Sequence, residues 1–231
     1  MNYLLLMMGG SGTRTTNPTP KQFIIVDCFP IFYYILDKYL RLPFIDGAVV
    51  VANPDWLQFT EEWCGRCDSQ KMLRIVAGGA NRSLSIRNGL STLRPFAEEE
   101  SVVLLHDATH PYVDEDGTKT VIEAVRKNGG ATLASFNYDT TYSIDDDGVV
   151  TEVLRRDRII NGASPEGFRF GLIDPIYANS STEELAAMAS AGAMALAHNI
   201  PLASIPTDIF NLKITFAHDL ELFKKLKSYF F

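Results

Sequence analysis

Residues 1–23 read MNYLLLMMGGSGTRTTNPTPKQF: an apolar run from Tyr3 to Met8 stops at Gly9 and Gly10, and a polar, proline-bearing segment carrying Arg14 and Lys21 follows. A short, continuous apolar run of this kind is a strand buried on both faces of a sheet. The glycine turn after it then lies at the carboxyl edge of the sheet, where ligands collect and the next helix presents its N–H groups. The run has no positive flank and no small-residue cleavage site, so it does not read as a secretory signal, and no later run reaches membrane-spanning length. A cytoplasmic location is expected.

The rest of the chain repeats the pattern. YLLLM, GAVVVA, MLRIV, SVVLLHD and GATLASF read as strands, separated by helical patterns in PIFYYILDKYLRL, RSLSIRNGLSTLRPF and TKTVIEAVRKN. Alternation of this kind gives a mostly parallel sheet with helices on both faces. After Phe136 the chain changes character: residues 137–160 carry β-branched residues on either side of an Asp-Gly turn, the pattern of a projecting hairpin arm. The run Asp145, Asp146, Asp147 lacks calcium-loop spacing and reads as the solvated tip of that hairpin. Helical patterns return over Phe168–Ala178 and Thr182–His198, followed by PLASIP, a strand NLKITF and a last helix from His218 toward Tyr229. The 231 residues are expected to form one domain, with an inserted arm at about 137–162.

The net charge of -7 disfavours general attraction to nucleic acid, and no membrane partner is expected, but a local cationic cleft for a small anion stays possible. Three cysteines do not make a disulfide framework. Two of them form WCGRC, Trp63–Cys67, but this follows a helical stretch instead of opening one, so Cys64 and Cys67 are expected to be exposed reduced thiols.

Gly9, Gly10 and Gly12 let backbone amides approach phosphate oxygens. The dinucleotide fingerprint would need a glycine where Thr15 stands, and the P-loop needs a Gly-Lys-Ser/Thr ending that is absent. A glycine turn followed by Arg14 and Lys21 remains, a set suited to spreading the charge of a polyphosphate.

GGSGTRTTNPTPKQF resembles the nucleotide-binding loop of the 2-C-methyl-D-erythritol 4-phosphate cytidylyltransferase family and its relatives acting on ribitol 5-phosphate. GGANRSLSIRNGL, LLHDATHP and NLKIT resemble three further segments of that family, in the family's order. The resemblance implies an α/β, Rossmann-like, mostly parallel sheet with helices on both faces and a projecting β-hairpin arm. It implies transfer of CMP from CTP to a polyol phosphate with release of pyrophosphate, 2-C-methyl-D-erythritol 4-phosphate being the leading acceptor. By the same resemblance Gly10 and Gly12 cradle the triphosphate, and Arg14, Lys21 and Lys213 stabilise charge at the reacting phosphates. Gly78, Gly79 and Ser85 form the base pocket with Arg82 nearby, and Asp107 holds Mg²⁺. The same stretch also reads as a strand-to-helix turn with Ser83 as the N-cap. His106 should point to the opposite side of its strand from Asp107, and His106, His198 and His218 are expected in packing or surface roles. The arm would embrace a second subunit in a homodimer, with Arg156 reaching the partner's acceptor site.

The departures fall together on the acceptor side. His110 stands where an arginine is expected; DTTY, Asp139–Tyr142, has Tyr142 in place of a lysine and leaves Thr140 as the acceptor-side residue; Glu166 replaces a glutamine; and residues 189–193, ASAGA, replace a Thr-Asp-rich motif. Another polyol or sugar phosphate, a non-catalytic nucleotide-binding homologue, and a redox protein using Cys64 and Cys67 stay open as alternatives.

Overall fold

The computed structural model describes residues 1–10, 19–67, 70–188 and 190–231. Its strands are β1 (Asn2–Met8), β2 (Ile25–Val26), β3 (Phe29–Pro30), β4 (Gly47–Ala52), β5 (Met72–Ala77), β6 (Val102–Asp107), β7 (Gly130–Phe136), β8 (Tyr142–Ile144), β9 (Val150–Val153), β10 (Ile160–Arg169) and β11 (Leu202–Pro206). Its helices are α1 (Ile31–Arg41), α2 (Leu57–Cys64), α3 (Arg82–Leu93), α4 (Glu115–Asn128), α5 (Phe170–Asn179), α6 (Thr182–Ala187), α7 (Ala191–Ala197) and α8 (Ala217–Leu226).

Seven strands form the main sheet in the order β11-β7-β10-β6-β1-β4-β5. β1 lies inside the sheet between β6 and β4, parallel to both, and helices cover both faces, which is why its side chains are buried in both directions. Leu4, Leu6 and Met8 enter a core with Phe32, Ile35 and Leu36 of α1 and Val121 of α4. Tyr3, Leu5 and Met7 enter a second core with Ile86 and Leu90 of α3 and Ile173 of α5. A chain with helices on both faces of its sheet needs this double-sided apolar strand, and the opening run supplies it. The α/β, Rossmann-like architecture is therefore the observed one.

Four local readings change. Residues Ile160–Arg169, read as the end of an arm and the approach to a helix, form β10, antiparallel to both β6 and β7. INGASPEGFR carries no apolar run, and the Ser164–Pro165 peptide within it is cis. The helix over 182–198 is two helices, each opened by its own serine: Ser181 closes a capping box with Glu184, and Ser190 accepts from the Ala193 N–H. NLKITF is not a strand: Leu212 and Ile214 are buried in a satellite core with Phe223 of α8 and Tyr112. Ile214 N–H donates to Thr109 O at 2.8 Å, so the segment docks on the loop after β6 without a ladder. Alternating burial alone produced the strand-like pattern. Finally, Asn81, not Ser83, caps α3, its side chain accepting from Leu84 N–H.

The arm is a separate two-stranded sheet of β8 and β9. Asp145 closes its tip by accepting from the N–H groups of Asp147 and Val149, and Gly148 takes φ 78°, so the aspartate run is turn chemistry.

Candidate active site

The carboxyl ends of β1, β4, β5 and β6 open onto one cleft of about 590 Å³. Gly9, Gly10, Lys21, Gly79, Arg82, Ser85, Asp107 and Lys213 all line it. Gly12 and Arg14 lie outside the described residues.

The sequence after the glycines shows why Lys21 is there. Pro20 precedes a single 3₁₀ turn, Lys21–Phe23. Phe23 stacks on Trp56 with ring centroids 4.6 Å apart and is fully buried, anchoring the turn. The Gln22 side-chain amide donates to Met8 O at 3.0 Å and Gly10 O at 2.8 Å, tying the turn to the end of β1. Lys21 is thereby held at the cleft wall, 7% exposed, with Nζ donating to Thr215 O at 2.5 Å. The role of Gln22 was not read from the sequence, although its place beside the lysine was the available signal.

Gly9 and Gly78 bring two loops into contact. A Cβ on Gly78 would stand 3.2 Å from Gly9 Cα and 3.0 Å from Ser85 Oγ, so a side chain there would force the neighbouring backbone and Ser85 to give way. Gly10 differs: among the described residues no atom lies within 4 Å of where its Cβ would be, so nothing in their packing requires a glycine there. Ser85 Oγ accepts from Gly79 N–H at 3.0 Å and donates to Asn81 O at 2.8 Å, bracing the loop between β5 and α3.

Asp107 ends β6 with both oxygens engaged electrostatically. Arg82 Nε and Nη2 donate to Oδ1 at 3.2 and 3.1 Å, and Lys213 Nζ lies 4.0 Å from Oδ2. Burial alone would raise the Asp107 carboxyl; Arg82, then Lys213 and His110, outweigh it and hold it below the usual carboxylate range. Arg82 also donates to Glu166 Oε2 at 3.3 Å. Burial raises the Glu166 carboxyl, with Arg82 opposing and Asp107 adding to the shift. The extra negative charge of Glu166 is thus answered by Arg82 within the protein.

His106 points away from the cleft, as strand alternation requires. It is fully buried, and its rings meet Tyr39 of α1 instead of any cleft residue. His198 and His218 are exposed. His110 is not at the cleft wall: its Nδ1 is 3.2 Å from Asn211 Oδ1. Burial first, then Lys213, lowers its pKa, so the imidazole is neutral near pH 7. Thr140 and Arg156 stay on the arm, both exposed, Arg156 donating to Tyr138 O at 3.1 Å. Among the described residues of one chain, then, those expected on the nucleotide side line one cleft and those expected on the acceptor side do not.

The fold that builds this cleft agrees with the comparisons. The family described as IspD, 2-C-methyl-D-erythritol 4-phosphate cytidylyltransferase, matches residues 3–226. The chain belongs to this family. It is 33% identical to 2-C-methyl-D-erythritol 4-phosphate cytidylyltransferase of Thermotoga neapolitana, covering 96% of this chain and 95% of that one. It is 29% identical to ribitol-5-phosphate cytidylyltransferase of Streptococcus agalactiae serotype Ia, covering 98% and 95%. In fold it is similar to 4-diphosphocytidyl-2C-methyl-D-erythritol synthase of Anaerococcus prevotii, with a TM-score of 0.81, 24% identity, and coverage of 98% and 96%. Members of the family are nucleotidyltransferases, and among the described residues no helix is long and apolar enough to cross a membrane.

The cysteines correct one expectation. Cys64 is buried and Cys67 half-buried; only Cys28 is exposed. Burial, then the neighbouring Cys67 and Glu61, pushes the Cys64 thiol up to about 12, and burial, then Asp37, pushes Cys67 up to about 11. Cys64 ends α2, so the helix terminus opposes a thiolate instead of favouring it. At pH 8 Cys28 is expected to react with a thiol reagent at least tenfold faster than either, by mass-resolved labelling. Faster labelling of Cys67 would revive a redox reading.

Proposed function

We propose that this chain transfers CMP from CTP to a polyol phosphate, with 2-C-methyl-D-erythritol 4-phosphate as the leading acceptor. The observation carrying this reading is the convergence of Lys21, Gly10, Gly79, Ser85, Asp107 and Lys213 on one cleft at the sheet's carboxyl edge. An acceptor phosphate oxygen attacks the α-phosphorus; that P–O bond forms as the bond to the bridging oxygen breaks, and pyrophosphate leaves. No side-chain nucleophile is needed. Lys21, Lys213 and Arg14 take up charge on the phosphates, Gly9, Gly10 and Gly12 admit the triphosphate to the backbone, and Gly78, Gly79, Ser85 and Arg82 surround the base.

Asp107 is the residue that would hold Mg²⁺. Its carboxylate lines the cleft and is kept ionised, and no group of three metal-ligating side chains exists among the described residues. That donor set suits a cation that takes one carboxylate and fills its remaining positions with phosphate oxygens and water. When bound, Mg²⁺ supplies electrophilic stabilisation of the phosphates.

A second acceptor, ribitol 5-phosphate or another sugar phosphate, is favoured by His110, whose neutral imidazole cannot clasp a phosphate as arginine does. Pyrophosphate release from CTP across a panel of polyol phosphates decides among the acceptors. Turnover with 2-C-methyl-D-erythritol 4-phosphate is expected to lead the panel. Silence throughout despite CTP binding would favour a non-catalytic nucleotide-binding protein, and no preference for CTP over other nucleotides would overturn the reading.

The active species in this reading is a cytoplasmic homodimer joined by the arm. Ile144, Val149, Val150 and Val153 are each at least 55% exposed on β8, β9 and their turn, an apolar surface that a partner would cover. Thr140 and Arg156 would then serve the partner's acceptor site. Replacing Ile144 and Val150 together by aspartate is expected to weaken association at least roughly tenfold, giving monomer by light scattering, with acceptor turnover lost more than CTP binding.

A further inference from the structure

Glu166 is a carboxylate for which the reaction above has no use, and it stands where the resembling family has a neutral glutamine. On β10 it pairs with Leu105 of β6, two residues before Asp107 and on the same face of the sheet. Its side chain is mostly buried, and besides Arg82 it takes a hydrogen bond from the Gly192 backbone at the start of α7.

Arg82 is awkwardly shared. Its Nε and Nη2 both converge on one oxygen, Oδ1 of Asp107, while Nη2 also reaches Glu166 Oε2. The remaining nitrogen, Nη1, is buried with no hydrogen-bond partner among the described residues. So is Tyr177 Oη on α5, and the Tyr177 phenol feels the charge of both Arg82 and Glu166. A planar guanidinium is best satisfied by two parallel bonds to one carboxylate, one to each oxygen. Arg82 makes that arrangement with neither partner, and its idle nitrogen lies in the buried neighbourhood of Glu166 and Tyr177.

We propose that Glu166 is a positioning residue that receives Arg82 when a divalent cation takes the Asp107 carboxylate, Arg82 leaving Asp107 to bind Glu166 through two nitrogens. The inference rests on the reading that Asp107 holds that cation. Without Glu166, releasing Asp107 would leave a partly buried guanidinium, its Nη1 enclosed, with no carboxylate, so the cation would compete against the ion pair. With Glu166, the guanidinium keeps a carboxylate, gains a use for Nη1, and frees Asp107. The glutamate that looked out of place beside an anion site thereby becomes part of its cation chemistry.

Mn²⁺ binding to the full chain, followed by electron paramagnetic resonance with a non-hydrolysable CTP analogue, tests this. Partners of a metal ligand typically change metal affinity 10–100-fold, so Glu166→Gln is expected to raise the Mn²⁺ Kd about tenfold or more. Affinity for the analogue in EDTA should be unchanged. Glu166→Asp, which keeps the charge but shortens the reach to Arg82, should weaken Mn²⁺ binding similarly. Unchanged binding in Glu166→Gln, or loss in Glu166→Gln with full retention in Glu166→Asp, overturns the proposal. Asp107→Asn separates the two readings: if it binds Mn²⁺ like the unsubstituted protein, the reading of Asp107 fails and this inference with it. If Asp107→Asn loses Mn²⁺ while Glu166→Gln keeps it, only the inference fails. A crystal structure with Mg²⁺ and the analogue gives an answer free of substitutions: Arg82 on Glu166 supports the exchange, and Arg82 still on Asp107 Oδ1 overturns it.

Discussion

Replacing Lys21 by alanine is expected to lower kcat/KM for cytidylyl transfer by on the order of 10³, mostly through kcat, with little change in fold stability. Lys21 presents a cation at the cleft wall with 7% of its surface exposed, and water there is too scarce to replace it. A fixed charge in such a place contributes more as negative charge redistributes during attack than when CTP simply binds. The turn should survive the substitution, because Phe23 and Gln22 anchor it through contacts that do not involve the lysine side chain. Steady-state pyrophosphate release compared with thermal unfolding checks both halves. A loss below about tenfold would remove Lys21 from the chemistry.

The second large effect concerns stability in acid. His106 Nε2 faces His110 O at 2.8 Å, and a carbonyl only accepts, so Nε2 carries the proton and Nδ1 accepts from Tyr39 O–H at 2.9 Å. The imidazole is neutral, and burial lowers its pKa to about 4. Above pH 6.5 the folded and unfolded chains hold the same protons at this residue. Between pH 6.5 and 4 only the unfolded chain binds one, so stability falls as the solution is acidified, by about 3 kcal/mol over the window. Glu166 acts in the opposite sense, its raised pKa making the folded state the stronger proton binder, and Asp107, with its lowered pKa, contributes stability at neutral pH that is lost only as pH falls below the usual carboxylate value. Comparing urea unfolding of the parent and His106→Gln at pH 7 and pH 4.5 isolates the histidine. The parent should lose markedly more stability than the variant; equal losses would show that His106 does not carry the acid sensitivity.

Much of the site was legible because its determinants are local. Lys21 and Gln22 belong to one turn, Asp107 ends an apolar strand, and Gly78 and Gly79 precede a helix, so each could be placed at the sheet's carboxyl edge from its neighbours in the chain. Glu166 could not. Residues Ile160–Arg169 have no apolar period, and they form a strand only because β6 and β7 stand on either side of them. Lys213 lines the cleft, but the strand expected around it is not there, since the burial of Leu212 and Ile214 beneath α8 mimics the alternation of a sheet.

By itself the amino-acid sequence determined the double-sided strand β1, the helices packed against it, the glycine turn at its end and the position of Lys21, because hydrophobic burial and turn chemistry act over a few residues. Only the tertiary structure decided which charges meet. Arg82, Asp107 and Glu166 come from α3, β6 and β10, and the nearest two are 25 residues apart. Sequence spacing carries no information about that distance; sheet order does, by inserting β10 beside β6 and turning Glu166 toward a guanidinium already claimed by Asp107.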